Sequence, residues 1–410
     1  MMMKEAQFKL IQNMLTNLSR TDGFYKKKFE GIDLAGIKSP EDFAKLPFTE
    51  KSDLRNAYPL GLQAVPDSEI IRIHSSSGTT GTPIIIPYTR QDVIDWAEMF
   101  KRCYETAGVT NLDRVHITPG YGLWTAGIGF QTGAELLGAM VVPMGPGNTD
   151  KQIKMMQDMK STVLCATSSY ALLLAEEIAK RGVRDKIHLT KGIIGSERWG
   201  EKMRRRIANE LGVQLYDIYG LTEIYGPGIA MSCDHECGMH YWDDYVYFEI
   251  IDQNTGEQVQ EGQIGELVIT TLRKEGAPLI RYRTHDLTRF LPGECACGMP
   301  YPRIDTLIGR TDDMVKVKGV NIFPGQIDEL LREIDGTSSE YQVMIDHLNG
   351  KDIMTLFFEM ASDFDKAMVE HNVKQCCKTK IGITLVPKAV AIGELPRSEK
   401  KSTRIFDNRY

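Results

Sequence analysis

The chain has 410 residues, enough for two or three domains around a large buried core. Its 42% hydrophobic, 25% charged and 8% aromatic residues are those of an ordinary globular protein and exclude a disordered, collagen-like or coiled-coil chain. Lys and Arg total 49 against 55 Asp and Glu, giving a formal charge of -6 with no long basic block, which argues against nucleic acid as a partner. No run approaches the ~18 consecutive apolar residues of a membrane span, so no membrane partner and a cytoplasmic location are expected. Eight cysteines are too sparse for a disulfide scaffold, so their positions matter more than their number.

Phe8, Leu10, Ile11 and Leu15 share one face of a lead-in helix within 1–20, and Pro40, Pro47, Pro59 and Pro66 then punctuate a wrapping segment. From about 70 to 220, apolar runs alternate with amphipathic stretches. Strands are expected at 70–73, 114–118, 140–143 and 163–166, and helices at 91–107, 127–138, 150–159 and 169–181. This alternation predicts an α/β fold with a mainly parallel sheet covered on both faces. Between 240 and 292 the rhythm changes to strands at 245–252 and 266–271 around a turn at Asn254-Thr255-Gly256, which predicts an antiparallel subdomain. After Gly309 come helix 325–334, strands 341–346 and 353–359, helix 363–377 and strand 383–387, the outline of a small C-terminal α+β domain. The expected division is 1–309 for a large N-terminal domain and 310–410 for a small mobile one.

Directly after the 70–74 strand stands Ser75-Ser-Ser-Gly-Thr-Thr-Gly-Thr-Pro83, almost wholly Gly, Ser and Thr. Backbone amides of such a loop can converge on phosphate oxygens while its hydroxyls donate further bonds. It lacks the Gly-Lys-Ser/Thr ending of the nucleotide-hydrolase loop, which argues against that class. Cys233 and His240, with Cys295-Ala-Cys297, can supply four tetrahedral ligands to a structural Zn²⁺, with His235 and Cys237 as competing ligands. Cys103, Cys165, Cys376 and Cys377 read as core or surface thiols.

Four more stretches follow the Ser/Thr/Gly loop in order: Tyr216-Asp-Ile-Tyr-Gly-Leu-Thr-Glu223, Tyr282-Arg-Thr-His-Asp286, Gly309-Arg-Thr-Asp-Asp-Met-Val-Lys-Val-Lys-Gly319 and Leu395-Pro-Arg-Ser-Glu-Lys-Lys401. In order and spacing the set resembles the acyl-adenylate-forming enzymes, which include acyl-CoA synthetases, luciferases and peptide-synthetase adenylation domains. Within that superfamily the chain resembles the phenylacetate-CoA ligases over nearly its whole length. Lys45–Leu54, Tyr121-Gly-Leu-Trp-Thr125, Pro278-Leu-Ile-Arg-Tyr-Arg283 and Val320-Asn-Ile-Phe-Pro324 carry that finer likeness.

The resemblance implies ATP, Mg²⁺ and coenzyme A as cofactors, and a small aromatic acid as substrate. It assigns Ser76, Ser77, Gly78, Thr79, Thr80 and Gly81 to the ATP phosphates. Ser196, Glu197, Asp217, Tyr219 and Gly220 go to the nucleotide, Asp286 to the ribose hydroxyls, and Arg310 to ribose or phosphate. Thr222 and Glu223 join the reacting centre, Glu223 as an oxygen ligand of Mg²⁺. Lys401 would meet the charge shared by the attacking carboxylate and the α-phosphate. Asp312 matches the hinge, and Lys318 with Gly319 the coenzyme A passage. Tyr121, Gly122, Leu123, Trp124, Thr125, Ala126 and Gly127 stand where the acyl pocket is built, and an aromatic wall suits an aryl group. The resembling ligases carry the same Cys and His positions, which supports structural zinc.

The chain departs from the family in two places. Lys400 replaces the usual Gly before the catalytic lysine, with Ser402-Thr403 following, so Lys400 is an alternative catalytic group. Gln131-Thr132 stand where the ligases carry His-Tyr, which leaves the particular acid open. Two rival readings stay in view: an adenylating enzyme with a non-CoA acceptor, and a catalytically impaired nucleotide-binding relative. The reading leaves room for a homodimer.

Overall fold

The computed structural model describes residues 3–76, 82–197, 199–235, 237–312, 315–317, 320–348, 351–397 and 404–409. The chain forms two compact units. One comprises 1–145, 161–165 and 216–307; the other comprises 146–160, 166–215 and 308–410. No helix among the described residues is long and apolar enough to cross a membrane.

The first unit opens with helix Glu5–Arg20, whose Ile11, Leu15 and Leu18 are buried against Tyr247, Leu272 and Ile280. The strand expected to begin the parallel sheet does not join it. Ile70–Ser75 pairs antiparallel with Ile85–Thr89, leaving Ile71 and Ile73 exposed. Alternating burial makes it one side of a ribbon, so the Ser/Thr/Gly stretch connects the two strands of that ribbon. Thr89 caps the next helix, Arg90–Thr106, in a reciprocal arrangement with Asp92. Helix Thr125–Leu137 lies against it through glycine: a Cβ at Gly129 would come within 2.4 Å of the Phe100 ring.

Strand Arg114–Ile117 lies parallel between Met140–Pro143 and Val163–Thr167, as the α/β rhythm predicts. Antiparallel pairing takes over afterwards. Gln214–Leu221, Gly226–Ser232, Met239–Tyr241, Arg303–Ile304 and Phe290–Leu291 follow one another across one sheet. Val246–Ile251, Gly265–Thr271 and Tyr282–Thr288 form part of another. In its connecting turn, Asn254 and Thr255 donate backbone N–H groups to the Asp252 carboxylate, and Gly256 takes φ 73°.

In the second unit the long hairpin Thr337–Leu348/Lys351–Met360 is flanked by parallel strands Val386–Ala391 and Ile405–Asp407. Its apolar face buries Val343, Ile345, Leu356 and Phe358 with Ile327 and Leu330 of helix Pro324–Arg332 and Val369 and Val373 of helix Lys366–Lys380. The last helix starts three residues later than its periodicity suggests, because Asp365 accepts from the Met368 N–H and caps it there. The following strand shifts with it.

Helices Thr149–Asp158, Ser168–Lys180 and Glu201–Leu211, strand Lys191–Gly195 and the antiparallel pair Val315–Val317/Val320–Ile322 also belong to this unit. Arg397 ties Glu176 of the Ser168–Lys180 helix (2.7 Å) to Glu359 of the hairpin (2.9 Å). Lys202 donates to the carbonyls of Ile334 and Thr337 at 2.9 and 2.8 Å.

Candidate active site

The residues that flank the candidate phosphate loop are tied to each other. Ser76 N–H donates to the Ile84 carbonyl at 3.0 Å, and Ile84 N–H donates to the Ser76 hydroxyl at 3.0 Å. Ser77, Gly78, Thr79, Thr80 and Gly81 lie outside the described residues. The ribbon is braced from beneath by His74, whose ring packs edge-on against Tyr88 and Trp96. Burial pushes its pKa down to about 4, so the ring stays neutral and serves as an aromatic support.

Strand Gln214–Leu221 delivers Thr222 and Glu223 at its end. Glu223 is 6% exposed, and its carboxylate lies 3.7 Å from the Lys51 ammonium. Lys51 was not singled out in the sequence, although it lies in the Lys45–Leu54 stretch that carries the family likeness. Thr49 brings that stretch alongside strand Tyr282–Thr288, its N–H donating to the Arg281 carbonyl and its own carbonyl accepting from Arg283 N–H, each at 3.0 Å. Asp286 on this strand is 3% exposed and accepts from the Tyr219 hydroxyl at 2.7 Å. Asp217 is held through its backbone N–H, which donates to Ser232 Oγ at 2.8 Å. Two residues beside these groups, Arg281 and His285, take φ of 47° and 65°, a conformation that costs non-glycine residues energy and that clusters at functional sites.

The candidate acyl wall reaches the same place. Helix Thr125–Leu137 begins next to Thr222, with Thr125 Oγ1 and Thr222 Oγ1 3.4 Å apart. Gly127 N–H donates to the Gly120 carbonyl at 3.0 Å, and a Cβ on Gly127 would come within 2.7 Å of that oxygen and 2.9 Å of the Tyr121 ring. Glycine is therefore required where helix and aromatic loop touch. Tyr121 is half-buried, and its hydroxyl has no hydrogen-bond partner among the described residues. Burial pushes that hydroxyl well above the ordinary tyrosine pKa, so it remains a neutral donor. Gly122 takes φ 85°, while Trp124 remains 49% exposed. Ala126 lies in the first turn of the helix. Gly220 packs against the neighbouring strand, where a Cβ would meet the Gly226 carbonyl at 2.0 Å.

The remaining candidates belong to the second unit. Ser196 takes φ 69° at the end of strand Lys191–Gly195. The next residue, Glu197, accepts from Ser168 Oγ at 2.9 Å and Ser169 N–H at 3.0 Å, placing a carboxylate at the start of helix Ser168–Lys180. Arg310 grips Asp312 with both arms of its guanidinium, at 2.8 and 2.9 Å, so the expected ribose residue and the expected hinge residue hold each other. Lys318, Gly319, Lys400 and Lys401 lie outside the described residues.

Separate from these groups, Cys233, His240, Cys295 and Cys297 converge, with their donor atoms all within 4.8 Å of one another. Cys233 Sγ and Cys295 Sγ are 3.7 Å apart, close to the ~3.8 Å that ~2.3 Å metal–sulfur bonds impose across a tetrahedral zinc. Cys297 Sγ and His240 Nε2 are 3.3 Å apart. His240 Nδ1 lies 2.8 Å from the Tyr301 carbonyl, which orients the ring and leaves Nε2 toward the sulfurs. Three soft thiols and an imidazole fit a tetrahedral ion such as zinc better than a hard cation.

Residues 28–272 match the family model described as AMP-binding enzyme, and 319–409 match the AMP-binding enzyme C-terminal domain. Fold and site thus define an adenylate-forming enzyme. Over 94% of its length the chain is 42% identical to a phenylacetate-coenzyme A ligase of Pseudomonas putida, covering 89% of that protein. It is 38% identical to the phenylacetate-coenzyme A ligase of Escherichia coli strain K12, again over 94% of this chain and covering 90% of that one. Among solved structures, a 2-hydroxyisobutyryl-CoA ligase in the postadenylation state, in complex with R3-HIB-AMP, superposes with a TM-score of 0.88 at 27% identity, covering 98% of this chain and 89% of that one. The chain belongs to the phenylacetate-CoA ligase family of AMP-binding enzymes.

Proposed function

We propose that this chain activates an aromatic carboxylic acid of the phenylacetate kind with ATP and transfers the acyl group to coenzyme A. An acyl-adenylate and pyrophosphate form first, and the thiol of coenzyme A then displaces AMP. The observation that carries this reading is the 42% identity to a phenylacetate-coenzyme A ligase over nearly the whole chain. The contact of Thr125 with Thr222 supports the aromatic class, because it sets the Tyr121–Gly127 wall beside the proposed reacting centre.

In this reading Ser76 and residues 77–81 cradle the phosphates, Tyr219 and Asp286 take the ribose, and Glu223 is the oxygen ligand for Mg²⁺. Lys51 sits against Glu223, its ammonium 3.7 Å from the carboxylate. Ser196 and Glu197 border the nucleotide, and Arg310 reaches it. Lys401 stabilises the charge that develops during adenylation, whereas Lys318 and Gly319 border the route of coenzyme A. The division of labour follows 1–309 and 310–410, with Asp312 as the hinge between two working states. Cys233, His240, Cys295 and Cys297 hold a structural zinc that would anchor the loop 292–302 to strand Met239–Tyr241.

Pyrophosphate exchange with phenylacetate, benzoate, indoleacetate and octanoate, followed by coenzyme A-dependent AMP release, tests the reading. An arylacetate should exceed octanoate in kcat/KM by about tenfold or more, the ~1–3 kcal/mol expected of pocket fit. A preference for octanoate overturns the aromatic class, and AMP release indifferent to coenzyme A overturns the acceptor.

A further inference from the structure

A fourth sulfur lies beside the three thiols of the cluster. Cys237 Sγ is 3.0 Å from Cys295 Sγ, whereas Cys233, which shares the cluster with Cys295, stands 3.7 Å from it. Two sulfurs bound to one tetrahedral zinc cannot approach to 3.0 Å without closing the angle between their bonds far below the tetrahedral value. Cys237 Sγ also lies 3.8 Å from Cys233 Sγ, but the four donor atoms that lie within 4.8 Å of one another are those of Cys233, His240, Cys295 and Cys297, so Cys237 stands as a neighbour of that set rather than as a fellow ligand of Cys295.

Its position is built into the fold. Arg303 donates to the Cys237 carbonyl at 3.1 Å. The next residue, Gly238, has φ 87°, and a Cβ there would meet the Ile304 carbonyl at 2.4 Å. Backbone at 237–238 is thus pressed directly onto strand Arg303–Ile304. Cys237 is also reachable: it is partly exposed, and Cys295, though buried, lies between exposed Glu294 and Ala296.

We propose that Cys237 is a resolving thiol for the metal-binding cluster, so that a hydroperoxide converts Cys237 and Cys295 into a disulfide and releases the metal. This rests on the zinc reading above. The thiolate of Cys295 attacks the peroxide O–O bond, becoming a sulfenic acid as the peroxide is reduced to water or an alcohol. Cys237 then attacks that sulfur, the S–S bond forms, and water leaves. Two thiols give up two electrons and two protons, and one peroxide accepts them. Closing from 3.0 Å to the ~2.05 Å of a disulfide asks for little motion of either side chain. The bond withdraws one of the three sulfurs from the metal, while His240, Cys233 and Cys297 remain behind as an incomplete set.

The test uses the full chain, purified without a metal-affinity tag, loaded with zinc and titrated with hydrogen peroxide. Zinc release is followed with a chromogenic chelator, and disulfides are mapped by mass spectrometry of non-reduced peptides. The parent chain should lose its zinc as the Cys237–Cys295 cross-link appears, and dithiothreitol with added zinc should reverse both. Cys237→Ser should bind zinc to the same stoichiometry and release it about tenfold more slowly, with Cys295 ending in irreversible acids. Equal release from Cys237→Ser, or a dominant Cys233–Cys295 cross-link, overturns the proposal. Loss of zinc from Cys237→Ser before any oxidation also overturns it, by making Cys237 a ligand. Untreated parent protein without zinc sinks the metal reading by itself, and the peptide map still judges whether Cys237 resolves Cys295.

Discussion

Replacing Arg281 by Met should strongly destabilise the first unit. The Arg281 side chain is 4% exposed and donates to both oxygens of Glu249, itself 1% exposed, at 3.2 and 3.1 Å. A third nitrogen donates to the Leu46 carbonyl at 2.6 Å and to that of Ala44, and the guanidinium lies over the Phe48 ring. One side chain thereby anchors the segment that carries Lys51 toward Glu223. Methionine fills much of the volume but leaves Glu249 buried without its counter-charge. Breaking such a pair from one side costs about 3–5 kcal/mol, a large share of the ~5–15 kcal/mol that holds a typical protein folded.

The loss should also depend on pH in a defined direction. Burial already raises the pKa of Glu249 against the pull of Arg281, and without the arginine it rises further. A carboxyl whose folded pKa lies above its unfolded one contributes stability that is complete below the unfolded pKa and is lost as pH rises through the folded one. The deficit of Arg281→Met should therefore be smaller at pH 5 than at pH 7.5. Urea unfolding followed by tryptophan fluorescence measures it, since Trp96 and Trp242 are fully buried in this unit. The double variant Arg281→Met/Glu249→Met should recover much of the loss. A deficit under about 1 kcal/mol at pH 7.5, the range of an exposed ion pair, or one independent of pH, would refute the reasoning.

Lys274 offers a second titration. It is 3% exposed, its ammonium lies 3.2 Å from the Tyr88 ring centroid and 4.3 Å from that of Tyr225, and it has no hydrogen-bond partner among the described residues. Burial pushes its pKa down to about 7 against the pull of Asp92 and Asp95. Between pH 7 and the ~10.4 of an unfolded lysine the unfolded chain binds more protons, so stability of the parent rises with pH there. Lys274→Met should be the more stable protein at pH 6.5, and its advantage should shrink toward pH 9.5; a constant gap in urea midpoints would count against this. If Lys401 acts as proposed, Lys401→Ala should lower pyrophosphate exchange ~10²–10³-fold yet still convert a supplied acyl-adenylate to thioester. Lys400→Ala should be mild. The reverse pattern moves the role by one residue, and equal damage to both half-reactions by Lys401→Ala speaks against two working states.

Local rules determined most of the elements from sequence. Apolar periodicity marks the helices Glu5–Arg20, Arg90–Thr106 and Ser168–Lys180 to within a few residues, because each needs only one face to bury. The ordered motifs identified the family for a related reason: a Gly/Ser/Thr loop, a Thr-Glu pair and a late lysine are legible as residue types in a fixed order along the chain. Partner choice was decided only by the tertiary structure. Nothing local to Ile70–Ser75 distinguishes the first strand of a parallel sheet from one side of a ribbon, since pairing with Ile85–Thr89 depends on what covers each face. Lys51 and Glu223 lie far apart in sequence, and they meet because Arg281 and Thr49 hold the early segment against strand Tyr282–Thr288. The cysteine spacing announced a tetrahedral donor set but left Cys237 and His235 as rivals for it. Only the packing of Gly238 onto strand Arg303–Ile304 sets Cys237 against Cys295, because a separation of 3.0 Å between two sulfurs is a property of folded backbone and not of spacing along the chain.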